Sequence, residues 1–282
     1  MQINTNIGAI NAQRNLAKSG MSLSTSMERL SSGMRINSAK DDAAGLAISD
    51  KMTSQIRGMT VAIRNANDGI SMAQTAEGAM GSITDTLQRM RDLAVQSANF
   101  AGVSSSDREK LQLEFRQLGL EVTRIIANTT FNDKKILVGS LSNANFQVGA
   151  GTGTDNQISV TVSNFNSLSG MKELVVAAPT VSIGSGATSV KVRSAIDVID
   201  VAIKKVDGFR ATLGAVQNRF TTTIANLQTN IENQSAARSR ILDADFAIET
   251  AALTRAQILQ QAGTAMLAQA NRTGDQVLSL LK

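Results

Sequence analysis

Residues 16–34 read LAKSGMSLSTSMERLSSGM. The apolar positions Leu16, Leu23, Met27, Leu30 and Met34 are separated by seven, four, three and four residues, the spacing of a coiled-coil seam. A helix with such a stripe is marginal alone and draws its stability from a partner. Gly33 and the run Arg35-Ile36-Asn37-Ser38 end the segment. Residues 43–99 read as helix again, with Ile48, Met52, Ile56, Met59 and Ile63 on one stripe. The far end of the chain carries the same pattern. Ile196, Ile199, Ile203 and Val206 continue through Leu213, Phe220, Ile224, Leu227 and Ile231, and a last segment bears Leu259, Ala262, Met266, Ala270, Val277 and Leu280. Helical segments at both ends imply a mainly α chain, a long antiparallel helical coiled-coil bundle, or rod, with its termini together. That architecture favours stacking against copies of itself over enclosing a substrate.

Between the ends the character changes. Ser106 with Glu109 matches a capping box and predicts a helix from about Asp107 to Asn128, followed by a turn at Phe131-Asn132-Asp133. In residues 136–190, Phe146 and Val148, then Ile158, Val160 and Val162, alternate with polar residues around a Gly-rich loop at 149–156. This reads as a β-hairpin with a loose loop. A further strand is expected near Leu174–Val176, then a Gly/Ser-rich loop around Pro179–Gly186. Ser194 with Asp197 is a second capping-box match, at the start of the long C-terminal helix.

Composition closes off much chemistry. The chain has 282 residues, no His, no Cys, no Trp and no Tyr, one Pro and 11 Met. Zinc sites built on nitrogen or sulfur, thiol nucleophiles, disulfides and histidine relays are all excluded. The net charge of +5 is dispersed, which argues against nucleic acid. No apolar run is long enough to cross a membrane, and the N-terminus lacks the pattern of a cleavable secretory signal. By pattern alone the chain reads as cytosolic, unless export uses an unprocessed N-terminus. The adjacent carboxylates Asp41 and Asp42 diverge on a helix and read as a solvated or ion-paired helix start, and Asp243 and Asp245 read likewise. Gly149, Gly151 and Gly153 lead into a strand, so they form a hairpin loop and not a phosphate cradle. No catalytic, metal or cofactor residues are assigned. On patterning, the amphipathic ends are an oligomerisation element, or else the frayed ends of a monomeric bundle.

The residues resemble bacterial flagellin. The resemblance rests on Ile3-Asn4-Thr5-Asn6, Ala12-Gln13-Arg14-Asn15-Leu16, the run from Glu28 to Gly45, and Arg64-Asn65-Ala66-Asn67-Asp68-Gly69-Ile70. At the other end it rests on Leu213 to Phe220, Ala237 to Ile241, Arg255 to Gly263, Ala268 to Asn271 and Val277 to Leu281. It implies a structural, non-enzymatic subunit of the flagellar filament, in a minimal form without large outer domains. Residues 1–42 and 240–282 would form an inner coiled-coil domain, and 43–135 and 194–239 the helices of a rod domain. Residues 136–193 would be its hairpin and outer loops. The assembly residues would be Leu16, Leu23, Met27, Leu30, Met34, Leu259, Met266, Val277 and Leu280.

The same resemblance implies other subunits, an export chaperone, the flagellar secretion apparatus, and cap and junction proteins as partners. It implies secretion to the extracellular filament, with no cofactor, no nucleic acid and no membrane insertion. It also implies recognition by a Toll-like receptor of hosts through Arg89, Leu93 and Glu114. A hook–filament junction protein is the alternative within this class, and an enzyme the alternative outside it.

Overall fold

The computed structural model describes residues 5–140, 142–175 and 181–279. Among the described residues, six α-helices and four short strands divide between two compact units, one of residues 1–56 with 232–282, the other of residues 57–231. The two divisions fall inside helices α2 and α5. The breaks in the helical chain lie elsewhere, at 33–42 and 243–245, close to where the sequence suggests domain edges.

In the first unit, α1 (Ile7–Ser32) starts where the Asn6 side chain accepts a hydrogen bond from the Ala9 N–H, and stops at Gly33, whose φ of 70° is left-handed. Glycine adopts that conformation without the steric cost that a Cβ imposes. Helix α6 (Phe246–Ser279) starts at Asp245, whose Oδ1 accepts from the Ala247 and Ile248 N–H groups. The two helices pair antiparallel. Asn6 Nδ2 donates to the Ala270 carbonyl at 2.8 Å. A Cβ at Gly263 would stand 3.2 Å from Leu16 Cδ1, so the glycine lets the helices approach. At the other end Arg29 faces the buried Glu249 at 3.7 Å. A backbone clasp closes the pair: Arg35 N donates to the Leu242 carbonyl at 2.7 Å, Ala244 N to the Gly33 carbonyl at 3.0 Å, and Met34 bridges to Asp243.

Asp41 and Asp42 each have a specific task here. Asp41 Oδ2 accepts from Ser38 Oγ and from the Asn37 and Ser38 amides, and these hydrogen bonds, the Ser38 hydroxyl foremost, hold its carboxyl below the usual range. Asp42 Oδ1 accepts from Gly45 N at 2.8 Å, capping the start of α2 (Ala43–Ser97).

The second unit is built on heptads. Helix α2 buries Ala66, Ala73, Ala76, Met80, Ile83, Leu87, Met90 and Ala94 at alternating steps of three, four or seven. Helix α5 (Ser189–Leu242) does the same with Val192, Ala195, Ile199, Ala202, Val206, Leu213, Val216, Phe220 and Leu227. These seams face each other across an antiparallel pair, with Arg91 on Asp200 at 2.7 Å and Gln217 donating to Glu77 at 3.0 Å. Helix α3 (Ser105–Asn128) adds Phe115, Val122 and Ile126 to the core. Its cap is Ser104, not Ser106. The Ser104 hydroxyl accepts from Asp107 N and donates to the Asp107 carboxylate, so the reciprocal cap sits two residues earlier than the Ser106–Glu109 pair suggests. Likewise α5 begins at Thr188, whose Oγ1 accepts from Lys191 N, and Ser194 lies inside the helix.

Two hairpins lie between α3 and α5. Strands β1 (Thr130–Phe131) and β2 (Lys134–Lys135) are joined by Asn132 and Asp133 at φ 47° and 60°, a tight turn suited to Asn and Asp. Strands β3 (Ser142–Gln147) and β4 (Gln157–Thr161) pair in register Phe146 to Ile158 and Ala144 to Val160, and Ile158 and Val160 enter the core. The outer face is a ladder of uncharged side chains: Ser159 donates to Asn145, Thr161 to Asn143 and Gln157 to Gln147. The connecting loop is ordered, not loose. Val148 N donates to the Asn156 carbonyl at 2.7 Å, and Gln147 Nε2 donates to the carbonyls of Gly149 and Gly151.

The expected strand at Leu174–Val176 is instead helix α4 (Met171–Val175), with Val176 outside the described residues. Gly170, at φ 88°, turns the chain, and its N–H donates to Glu173 Oε2 at 2.6 Å. Met171 and Leu174, three apart, are both buried. That is a helical period, which a run of five apolar residues conceals.

Residues 181–187 strap across α2 and α3. Val181, Ile183 and Ala187 are buried. Ile183 N donates to Gln112 Oε1 at 2.6 Å, and the Ser97 hydroxyl donates to the Ile183 carbonyl. Glu109 Oε2 accepts from the Ser185 hydroxyl at 2.8 Å and from its amide, which holds the Glu109 carboxyl below its ordinary value of 4.5. A carboxyl depressed on folding stabilises above its unfolded pKa, and that contribution fades as pH falls through the folded value. Amide hydrogen exchange at Ile183 and Ser185 is therefore expected to speed up below about pH 4.5 beyond the intrinsic trend. Glu109→Gln should remove that extra pH dependence; an identical profile in the variant would show that Glu109 does not hold the strap.

Candidate self-assembly surface

Helix α1 carries two apolar stripes. Leu16, Leu23 and Leu30, and Met34 just past the end of the helix, are half-buried, and Leu16 meets α6 at Gly263. A second set, Ile7, Ile10 and Met21, falls within about 60° on the helical wheel at 100° per residue, on the opposite side. These residues are 63%, 56% and 66% exposed. Helix α6 also divides its positions. Glu249, Ala256 and Gly263 face α1, while Ile248, Leu259 and Met266 share one line and are 67%, 51% and 65% exposed. Phe246 and Ile258 are also exposed, as is Met27.

Of the assembly residues expected from sequence, Leu259, Met266 and Met27 are thus on the surface. Leu16, Leu23, Leu30 and Met34 are in large part occupied within the chain. Val277 lies in α6, and Leu280 lies outside the described residues. The Ile7–Ile10–Met21 and Ile248 positions escape a search for a single heptad seam. Their signal is a second set at helical spacing, away from the paired face of each helix.

The receptor residues separate in the same way. Arg89 donates through Nε and Nη2 to Glu114 Oε1 at 2.9 and 2.7 Å, and both side chains are well exposed. Leu93 is 1% exposed and belongs to the core. Leu93, which the resemblance places in the contact with Arg89 and Glu114, stands about 40° round α2 from Arg89, but its side chain is covered by the core in this chain and not offered at the surface.

Among the described residues no three acidic side chains gather as a metal site, and no helix is long and apolar enough to cross a membrane. Two open clefts of about 530 and 620 Å³ flank the β3–β4 hairpin, lined by a mixture of apolar side chains, amides and hydroxyls, with Asp155 and Arg219 at one and Asp68 and Lys134 at the other. Among the described residues, the largest concentration of uncovered apolar side chains is on α1 and α6.

Comparison with known proteins decides the family. The family model of the bacterial flagellin N-terminal helical region matches residues 3–142, and that of the C-terminal helical region matches residues 196–281. The chain belongs to the bacterial flagellin family. A flagellin of Halalkalibacterium halodurans is 46% identical over 282 residues, covering both chains completely. Flagellin A of Vibrio cholerae is 39% identical and also covered throughout, but its alignment runs to 378 positions, so this flagellin is the shorter form. A solved structure of a putative flagellar hook-associated protein from Vibrio parahaemolyticus covers 72% of this chain and all of its own, with a TM-score of 0.59 at 12% identity. That likeness is one of fold alone. Flagellin is a structural protein family, and what the surface of this flagellin offers is packing area and hydrogen bonds.

Proposed function

We propose that this chain is a structural subunit that polymerises into the bacterial flagellar filament. The observation that carries the reading is the pair of uncovered apolar stripes on α1 and α6, at the two ends of a chain in the flagellin family. A helical polymer needs heterologous contacts that do not close into a ring, and exposed stripes on two antiparallel helices supply such surfaces. Full-length identity to flagellins favours the filament over the hook–filament junction, since the hook-associated likeness reaches only the fold. The subunit passes through the flagellar secretion apparatus, with a chaperone covering the C-terminal stripe before assembly, and meets cap and junction proteins in the extracellular filament. Negative-stain electron microscopy of purified protein seeded with filament fragments tests this. Intact chain should grow long filaments, and chain lacking residues 1–42 and 240–282 should grow none. An intact chain that stays monomeric under every seeding condition overturns the filament reading.

Recognition by a host Toll-like receptor is part of the same proposal, through Arg89 and Glu114 on adjacent helices, with Leu93 holding α2 in place beneath them. The exposed pair contributes little to stability, about 0.2–1 kcal/mol, and so is free to exchange partners. Arg89→Ala should lower the response in a receptor-bearing reporter cell at least about tenfold, the loss expected for a contact worth roughly 1.4 kcal/mol. An unchanged response would refute the assignment.

A further inference from the structure

Methionine is the readily oxidised side chain of this chain, which has no Cys, His, Trp or Tyr. Its methionines divide sharply by place. Met59, Met72, Met80, Met90 and Met171 are buried in the second unit. Met34 and Met52 are half-buried. Met21, Met27 and Met266 are each more than half exposed, and all three are in the first unit. Met21 shares its stripe with Ile7 and Ile10, and Met266 shares its own with Ile248 and Leu259. An oxidant reaching the monomer therefore finds its most accessible thioethers, among the described residues, on α1 and α6. Met21 and Met266 are on the two outer stripes, and Met27 is at the exposed edge of the Leu16–Leu30 series, whose residues the resemblance also gives to assembly.

We infer that Met21, Met27 and Met266 form an oxidative modification site that controls subunit addition. The co-reactant is a peroxide. A sulfur lone pair attacks the terminal peroxide oxygen, the O–O bond breaks and an S–O bond forms. Each thioether is oxidised by two electrons to the sulfoxide, and hydrogen peroxide is reduced to water. The product replaces a flexible apolar side chain with a polar, chiral one. Burying that sulfoxide against a neighbour's aliphatic side chains without a hydrogen-bond partner is unfavourable, so the modified monomer adds poorly. Subunits already packed cover these sulfurs and resist the oxidant. The modification is reversible, because methionine sulfoxide reductases restore the thioether. The inference rests on the proposed self-assembly through α1 and α6.

The test uses full-length monomer, hydrogen peroxide, peptide mass spectrometry and seeded polymerisation. Sulfoxide is expected first at Met21, Met27 and Met266, with the five buried methionines last. The oxidised monomer should polymerise at least tenfold more slowly than untreated monomer. Reductase treatment should restore the rate. The variant Met21→Leu, Met27→Leu, Met266→Leu, of matching bulk and helix preference, should polymerise before and after peroxide alike; circular dichroism confirms its helicity. If that variant does not assemble, restoration of the wild type by reductase still decides the matter. Equal polymerisation of oxidised and untreated wild type, or a peroxide-sensitive triple variant, overturns the proposal. Untreated wild type that does not polymerise at all overturns the assembly reading and this proposal's consequence with it, while leaving the oxidation map as a separate result.

Discussion

Ile10→Gln combined with Ile248→Gln should abolish seeded filament growth while leaving the monomer's helicity and melting unchanged. Both isoleucines are more than half exposed in the chain, so replacing them removes little intramolecular packing, and surface substitutions of this kind usually fall within about 0.5 kcal/mol. Gln is also a better helix former than Ile, which excludes helix loss as the cause. In the polymer the same positions would lie against a neighbour, where burying a large aliphatic side chain is worth about 1.5–3 kcal/mol. Two such losses amount to about 3–6 kcal/mol, a rise in critical concentration of a hundredfold or more at roughly 1.4 kcal/mol per factor of ten. Leu16→Gln should behave differently. Leu16 packs on Gly263 within the chain, so its replacement should loosen the α1–α6 pair in the monomer as well. Measuring monomer circular dichroism and critical concentration on the same samples separates the two faces of α1. If the double variant still forms filaments at wild-type concentrations, the outer stripes are not the contact.

That contrast shows what could be read from the sequence and what could not. The seam of α5 was legible in part, through Ile199, Val206, Leu213, Phe220 and Leu227 at steps of seven. The α2 stripe read at Ile48–Ile63 enters the core only at Met59, with Ile48 48% exposed, and the buried seam beyond it rests largely on alanines and methionines that stand out little in sequence. Gly33 was legible as a stop because only a residue without a Cβ takes φ 70° there at no cost. The β3–β4 hairpin was legible from the alternation of Phe146, Ile158, Val160 and Val162. Other features depend on which of several equivalent neighbours tertiary packing selects. Ser104, Ser105 and Ser106 are chemically alike, and the cap falls on the one three residues before Asp107. Leu174 and Val175 suit either a strand or a helix, and Gly170 with Glu173 decides for the helix. Leu93 could be given a receptor role only by resemblance, and helical phase, which sets it about 40° from the exposed Arg89, does not reveal that tertiary packing covers it. The Ile7–Ile10–Met21 stripe stands apart from the seam at Leu16–Met34, and only the position of α6 shows which of the two is covered.

The largest effect on the monomer is expected where α2 passes over α5. Phe220 is fully buried, and its ring meets Phe146 of β3 edge to face, with centroids 5.6 Å apart and planes at 87°. Opposite it stands Gly69, where an added Cβ would come within 2.6 Å of the ring's Cζ. The ring is held by the hairpin on one side and by α2 on the other, so it cannot yield at little cost. Phe220→Ala should destabilise the chain by about 3–5 kcal/mol through lost burial and a cavity. Gly69→Ala sets two effects against each other: about 1 kcal/mol gained in helix propensity, and about 1–3 kcal/mol lost to overpacking. The steric term should win, because the clash is with a ring that has no room to move. In the Phe220→Ala background the clash disappears and only the propensity gain remains, so Gly69→Ala should there become stabilising. This reversal of sign is a coupling between neighbours that a double-mutant cycle measures directly. With no Trp or Tyr in the chain, urea unfolding followed by far-ultraviolet circular dichroism is the suitable reading. A Gly69→Ala effect of the same sign and size in both backgrounds would show that the glycine is not there to admit the ring.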